Sequence, residues 1–383
     1  MFETIRLVSV ADDNYAQHLG VMLCSIFESN KTNDLDVHVI DGGITTGNKE
    51  KLINLSHGYS RTLHFHKIDP RIYGNFSRYS THLTPAPYYR LSIPEIIDKK
   101  IEKILYLDCD IVVIKDLKPL WETDIEGYLV AAVVDDGMAT LSQYTGCLFS
   151  MELSERNNQI DEFKQNLKRY CLSSNKMIDF HDSEIDHALS SIANGSKCEL
   201  LKDVMGNELT LKKNGKKLSL YNFKNSIFVR LGIPKDHKYF NSGVLLMNLK
   251  KWRENKTREK TVEFLQKNKD AKFLDQDALN GVLYGKWLEL PGKYNIQCDD
   301  RLKETPDAVI IHYLCIFKPW YLFASFPYAH HYSKYLKMTP WKDFKPKFKK
   351  EHLLFVNYLL YKHFPSVKVF DPIKKKLAKL IPR

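Results

Sequence analysis

The sequence predicts an α/β protein: a mixed, mostly parallel sheet flanked by helices, with an inserted subdomain and a basic, helical C-terminal tail. Three observations lead there. Apolar strand patterns alternate with amphipathic helical patterns through the first third of the chain. Aspartates (Asp12, Asp13, Asp108, Asp110, Asp135, Asp136) gather where those strand patterns end. The alternation stops near residue 140 and resumes near 240. Strands alternating with helices form largely parallel sheets covered on both faces, and such sheets bind ligands at the carboxyl ends of their strands.

Taken in order, residues 4–11 are apolar and β-branched, and 16–29 place Leu19, Leu23, Ile26 and Phe27 at helical spacing. Residues 35–41 read as a strand, 49–55 as a helix, 62–68 as a strand alternating across its faces, and 88–97 as a helix. Strands follow at 103–113 and 129–135. The next stretch, about a hundred residues, is far longer than an ordinary connection. It opens with a polar helical pattern at 155–170, and near its end Asn214-Gly215 sits between alternating apolar residues, a hairpin signal over 209–220. It is expected to be a subdomain at about 140–236, inserted into a domain spanning 1–333; a surface excursion and a substrate-facing role both suit it. The α/β pattern returns with a strand at 240–249, helices at 250–267 and 276–283, and a strand at 308–313.

The 383 residues are 44% hydrophobic and 12% aromatic, ample for a large buried core. The N-terminus reads as a strand rather than a secretory leader. Seven scattered cysteines, without a C-x-x-C pair, argue for a reducing compartment and against a zinc or disulfide framework. The charge is uneven. Residues 334–383 hold fourteen Lys or Arg against three acids, so the whole +11 lies there and the first 333 residues are neutral.

The most informative stretch is Lys103-Ile104-Leu105-Tyr106-Leu107-Asp108-Cys109-Asp110, a strand running into two acids one residue apart. On an extended chain, residues i and i+2 leave on the same side, so Asp108 and Asp110 point together and Cys109 turns away. Two adjacent carboxylates repel unless a cation lies between them, and oxygen ligands suit Mg²⁺ or Mn²⁺, which suit phosphate. Taken alone, the pair reads equally as a solvated strand end.

Four motifs in order raise its standing: the acid pair; Tyr239-Phe240-Asn241-Ser242-Gly243; Asp275-Gln276-Asp277; and His312-Tyr313 with Lys318-Pro319-Trp320. Their order and spacing resemble glycosyltransferase family 8, retaining sugar-nucleotide-dependent enzymes of the GT-A fold, over roughly 5–136 and 238–322. The resemblance implies that Asp108, Asp110 and His312 bind Mn²⁺, with Mg²⁺ as the alternative, and that Lys318 adds a second positive charge on the donor diphosphate. It implies donor-binding roles for Asp12, Asp13, Asn14 and Tyr15 at the nucleotide, for Arg90, Asn241 and Ser242 toward the sugar, and for Asp108 and Cys109 as further substrate-binding residues. Asp275, Gln276 and Asp277 become the catalytic trio, with Gln276 facing the anomeric carbon. An amide is a poor nucleophile, which favours departure and attack on one face. Each residue also has a plainer role: helix capping for the Asp12 segment, an ion pair for Arg90, an ordinary structural histidine for His312, a surface lysine for Lys318, and stabilising acids at a helix start for the trio. Cys315 departs from the pattern, standing where the family has glycine; its Cβ requires an ordinary φ/ψ in that loop.

From Trp341 onward, lysines interleave with aromatic and aliphatic residues, and no apolar run approaches the length of a spanning helix. Such a segment is expected to lie on an anionic membrane surface. No nucleic-acid-binding module is visible. The expected protein is thus a cytoplasmic, membrane-peripheral enzyme moving glucose or galactose from a UDP-sugar to a lipopolysaccharide or other surface-glycan acceptor. Its rivals are a degenerate glycosyltransferase fold serving as a glycan-binding scaffold, and a D-x-D phosphatase.

Overall fold

A computed structural model describes residues 4–73, 85–135, 208–213, 216–221, 231, 238–268, 274–298, 304–314, 317–321 and 324–346. Its centre is a seven-stranded sheet. The strands, in chain order, are β1 (Ile5–Ala11), β2 (Leu35–Asp41), β3 (Leu63–Lys67), β4 (Lys103–Leu107), β5 (Ile111–Val113), β6 (Val130–Val134), β7 (Glu208–Lys213), β8 (Lys216–Tyr221), β9 (Phe240–Asn248), β10 (Trp287–Glu289), β11 (Ile296–Gln297) and β12 (Ile310–His312). The large sheet runs β10-β6-β9-β4-β1-β2-β3, with β11-β12-β5 as a small second sheet and β7-β8 as a hairpin. Within the large sheet β9 alone runs antiparallel to its neighbours. The sheet is therefore mixed and mostly parallel, as expected.

Chain order positions the site. From β1 the chain moves outward to β2 and β3, then returns to place β4 on the other side of β1. That reversal opens a crevice at the carboxyl ends of β1 and β4, where sheets of this kind hold ligands. Asp12 and Asp108 follow those two strands directly.

Helices cover both faces. Helix α1 (Ala16–Ser29) buries Leu19, Leu23, Ile26 and Phe27, and helix α2 (Thr46–Gly58) packs beside it. Asp12 starts the first helical turn by accepting the Tyr15 N–H at 3.1 Å, and Thr45 caps α2. The expected helix over 88–97 is three short pieces: α3 (Ala86–Tyr89), a 3₁₀ turn (Arg90–Ser92) and α4 (Ile93–Ile96). Pro94 sits in the first turn of α4, where its missing N–H takes away the bond that would tie this turn to the preceding one. A short helix α5 (Lys118–Trp121) follows β5. The expected helix over 250–267 is also two, α6 (Leu249–Glu254) and α7 (Thr257–Lys267), because Lys256 adopts the left-handed conformation at φ 49°. Helix α8 (Leu274–Leu283) begins two residues earlier than its pattern suggested.

The hairpin over 209–220 is present: β7 pairs antiparallel with β8, and Lys213 stands opposite Lys216 across Asn214-Gly215. The rest of the expected insertion, including the helical pattern at 155–170 but excepting Leu231, lies outside the described residues. The basic tail does not leave the body at residue 334. Helix α9 (Ala329–Leu336) runs through that point and buries Tyr332 and Tyr335. Further on, Trp341 lies over α1 at Gly20, so close that a Cβ on Gly20 would stand 2.5 Å from its ring. Within the described part of the tail, Tyr335, Leu336, Thr339 and the half-buried Trp341 pack on the α/β body, whereas 342–346 are exposed. Residues 347–383 lie outside the described residues. No helix among the described residues is long and apolar enough to cross a membrane.

Candidate active site

The acid pair sits where the two sheets meet. Strand β4 ends at Leu107, so Asp108 and Asp110 occupy the turn into β5 rather than the strand itself. They converge nonetheless. The Asp108 N–H donates to Gly243 O on β9 at 2.8 Å, while Asp110 O accepts the Tyr313 N–H at 3.1 Å beside β12. Each acid is held by the backbone of a different sheet.

Strand β12 delivers the third group. His312 Nε2 lies 3.3 Å from Asp110 Oδ1 and 3.9 Å from Asp108 Oδ2, and His312 is 2% exposed. Gly243 makes that approach feasible. A Cβ there would collide with His312 Cε1 and stand 2.7 Å from Nδ1 and 3.0 Å from Asp108 Oδ2. Each acid also has its own cation. Arg90 Nη2 lies 3.0 Å from Asp108 Oδ1, and Lys318 Nζ lies 2.6 Å from Asp110 Oδ2. Burial works against the Asp110 charge, but Lys318 and His312 outweigh it and hold the carboxyl well below its ordinary range. Burial likewise opposes the Arg90 charge; Asp108 and Asp275 prevail and hold the guanidinium protonated. Neither Arg90 nor Lys318 is a surface residue: they are 6% and 8% exposed. Tyr106, two residues before Asp108, donates its hydroxyl to Asp108 Oδ1 and lies under the Arg90 guanidinium, 4.7 Å away.

A chain of amides links this centre to Gln276 at the start of α8. Asn241 Nδ2 donates to Asp135 Oδ2 at 3.1 Å, and Gln276 Nε2 donates to the same oxygen at 3.2 Å. A carboxylate only accepts, which fixes both amides. The Asn241 oxygen therefore faces Asn295 Nδ2 at 2.9 Å, and the Asn295 oxygen faces His312 Nδ1 at 3.0 Å. His312 must carry its proton on Nδ1 in this arrangement, leaving Nε2 to face the two acids. On the other branch, Gln276 Oε1 accepts the Ser242 N–H at 2.9 Å, and Arg90 Nη1 donates to Ser242 O at 2.6 Å and Oγ at 3.1 Å.

The remaining expected residues divide. Within the trio, Gln276 is partly exposed, while Asp275 and Asp277 are buried. Asp275 Oδ2 lies 2.9 Å from Arg90 Nε; burial pushes its carboxyl up to about 7 against the pull of that guanidinium. Asp277 accepts the Tyr239 hydroxyl at 2.7 Å. Asp13 turns toward α2, taking the Thr45 N–H and Asn48 Nδ2, each at 2.8 Å. Asn14 is exposed beside it. Tyr15 stands edge-on to Trp320, which stacks on His18 at 3.7 Å. Burial and the flanking acids push the Cys109 thiol well above its ordinary value. Cys315 and Asp136 lie outside the described residues. Sequence reasoning did not single out Tyr106, Gly243, Asn295 or the hub role of Asp135. Tyr106 was accessible from the same i, i+2 rule that paired the acids; Asn295 carried no signal.

One carboxylate oxygen from each of Asp108 and Asp110 and one nitrogen from His312 all lie within 4.8 Å of one another. Two hard oxygens and one imidazole nitrogen fit a divalent cation of the Mg²⁺–Mn²⁺ kind.

Fold and site together are of the GT-A class, an α/β sheet with an acid pair at its switch point. The sequence pattern described as Glycosyl transferase family 8 matches residues 6–322, and the chain belongs to that family. Its class of activity is glycosyl transfer. Among curated relatives, General stress protein A of Bacillus subtilis is 28% identical over 88% of this chain and 95% of its own. A lipopolysaccharide 1,2-glucosyltransferase of Escherichia coli is 24% identical over 94% of this chain and 85% of its own. Among solved structures, the galactosyltransferase LgtC, in complex with donor and acceptor sugar analogues, shares the fold with a TM-score of 0.61 at 22% identity, covering 88% of this chain and 96% of that one.

Gly243→Ala should fold but displace His312 or Asp108. Divalent-metal affinity and transfer rate should each fall at least about 100-fold, the cost of misplacing reacting groups by an ångström. Metal titration beside a thermal melt checks this; an unaltered affinity in a folded variant contradicts it.

Proposed function

We propose that this protein transfers a hexose, glucose or galactose, from a UDP-sugar to a glycan or glycolipid acceptor, with retention at the anomeric carbon and dependence on a divalent cation. The observation that carries the proposal is the meeting of Asp108, Asp110 and His312 with Arg90 and Lys318 at the switch point of the sheet. A relative named as a lipopolysaccharide glucosyltransferase supports a surface-glycan acceptor.

A cation bound by Asp108, Asp110 and His312 would hold the diphosphate and act as a Lewis acid on the departing UDP. Lys318 adds charge on the phosphate side. Arg90 spans Asp108 and Asp275 and fixes the wall beside the donor sugar. Gln276, tied at both ends of its amide, presents a fixed dipole where positive charge develops on the sugar. Its oxygen is committed to Ser242 and it carries no charge, which supports same-face departure and attack over a covalent intermediate on this residue.

The test is a panel of UDP-sugars with Mn²⁺, with and without EDTA, followed by NMR for consumption and product anomer. UDP release from one hexose donor, abolished by EDTA and reduced roughly 10³-fold in Asp110→Asn, is the expected result. Absence of UDP release from every donor would favour a scaffold, and phosphate release from simple monoesters a phosphatase. A glycosyl adduct on Gln276 or Asp277, found by mass spectrometry, would overturn the same-face mechanism.

We also assign the tail to a cytoplasmic-face role in which residues 347–383 hold the protein on an anionic membrane. Truncation after Pro346 spares the Trp341 contact. The shortened protein should stay folded and move from pellet to supernatant with phosphatidylserine vesicles; unchanged partitioning contradicts the assignment.

A further inference from the structure

Outside the catalytic wall, one other group of metal-ligating side chains converges among the described residues: Glu304, His330 and His331. One carboxylate oxygen and one nitrogen from each ring lie within 4.8 Å of one another. Glu304 Oε1 is 3.4 Å from His330 Nδ1, and the two imidazole centroids are 4.1 Å apart. Around tetrahedral Zn²⁺, with bonds of about 2.0–2.1 Å, neighbouring donor atoms stand about 3.3–3.4 Å apart. The Glu304–His330 pair already has that spacing.

The carboxylate is held in place. Tyr328 donates its backbone N–H to Glu304 Oε1 at 2.7 Å, and its hydroxyl accepts the Thr305 N–H at 2.6 Å. Tyr328 is 1% exposed and adopts the left-handed conformation at φ 67°. A bulky residue is kept there only when its surroundings over-determine it. It is also the residue from which α9 starts, so one buried residue holds Glu304 through its backbone N–H and begins the turn that bears the histidines.

We propose that Glu304, His330 and His331 form a second divalent-metal site, selective for late first-row ions such as Zn²⁺ or Co²⁺, that braces the wall carrying His312 and Lys318. Two imidazoles with one carboxylate are a softer set than the two carboxylates and one imidazole of the catalytic centre. Three protein ligands leave a fourth position for water. Glu304 and His330 are exposed, so an ion enters from solvent directly. The Glu304 carboxylate supplies negative charge beside the N-terminus of α9, offsetting the positive end of that helix's dipole. The brace runs through Tyr328, whose carbonyl accepts the Tyr313 hydroxyl at 2.9 Å, and Tyr313 O in turn accepts Lys318 Nζ. The site does not depend on the identity of the donor or acceptor.

The test titrates metal-stripped full-length protein with Co²⁺, read by its visible absorption, and with Zn²⁺, read by calorimetry and by the shift in Tm. The Asp108→Asn/Asp110→Asn variant should keep one Co²⁺ site with histidine-ligated absorption, and Zn²⁺ should raise its Tm. The His330→Asn/His331→Asn variant should lose that site, and Glu304→Gln should weaken it roughly 10- to 100-fold or more. If the double histidine variant fails to fold, His330→Asn alone, at an exposed position, carries the same test. Wild-type-like Co²⁺ binding in the histidine variants, or no binding in Asp108→Asn/Asp110→Asn, would overturn the proposal and leave Glu304–His330 a plain ion pair.

Discussion

The large and small sheets share one short turn, and that turn is made of the acid pair. Asp108 is hydrogen-bonded through its backbone to Gly243 on β9, and Asp110 to Tyr313 beyond β12. Two like charges therefore face one another because two sheets hold them there, and the repulsion must be offset locally. Arg90 reaches Asp108 from the turn after α3, Lys318 reaches Asp110 from the loop after β12, and His312 closes the third side. Arg90 precedes the acid pair by about twenty residues, whereas His312 and Lys318 arrive together from one segment about two hundred residues later. The fold exists at this point to concentrate charge that water would otherwise disperse, and in a buried setting such charge interacts far more strongly than at the surface.

Asp135 organises the other half. One of its oxygens accepts from both Asn241 and Gln276, and the orientation of each amide follows from that single acceptor. Through Asn241 and Asn295 it reaches the Nδ1 side of His312; through Gln276 and Ser242 it reaches Arg90. His312 and Gln276 belong to one polar network, satisfied in series. Such networks favour one arrangement over the alternatives, because breaking any member strands a buried partner.

Much of this was legible in the sequence. The alternation of strand and helix patterns specified the sheet, and the acids at strand ends located the crevice. The Asn-Gly signal placed the β7-β8 hairpin. Helix continuity was less legible: apolar periodicity runs on across the start of α4, where Pro94 supplies no N–H, and across Lys256, whose left-handed backbone ends one helix before the next. The acid pair was read as extended chain, but it forms a turn, and its convergence owes more to two separate sheets than to strand periodicity. Gly243 lies inside a motif, but its reason, the close approach of His312 from β12, could not be read locally, and Asn295 matters only through its bonds to Asn241 and His312. Trp341 illustrates the same limit from the other side: beside lysines it reads as interfacial, yet Gly20 offers it a close seat on α1.

The central claim is that Asp108, Asp110 and His312 act as one cation site built across two sheets. Anomalous diffraction from crystals soaked in Mn²⁺ and UDP tests it most directly. The account predicts one strong peak bonded to a carboxylate oxygen of each aspartate and to His312 Nε2, with Nδ1 still donating to Asn295. A peak bound elsewhere in the crevice, or none with His312 turned away, would contradict it.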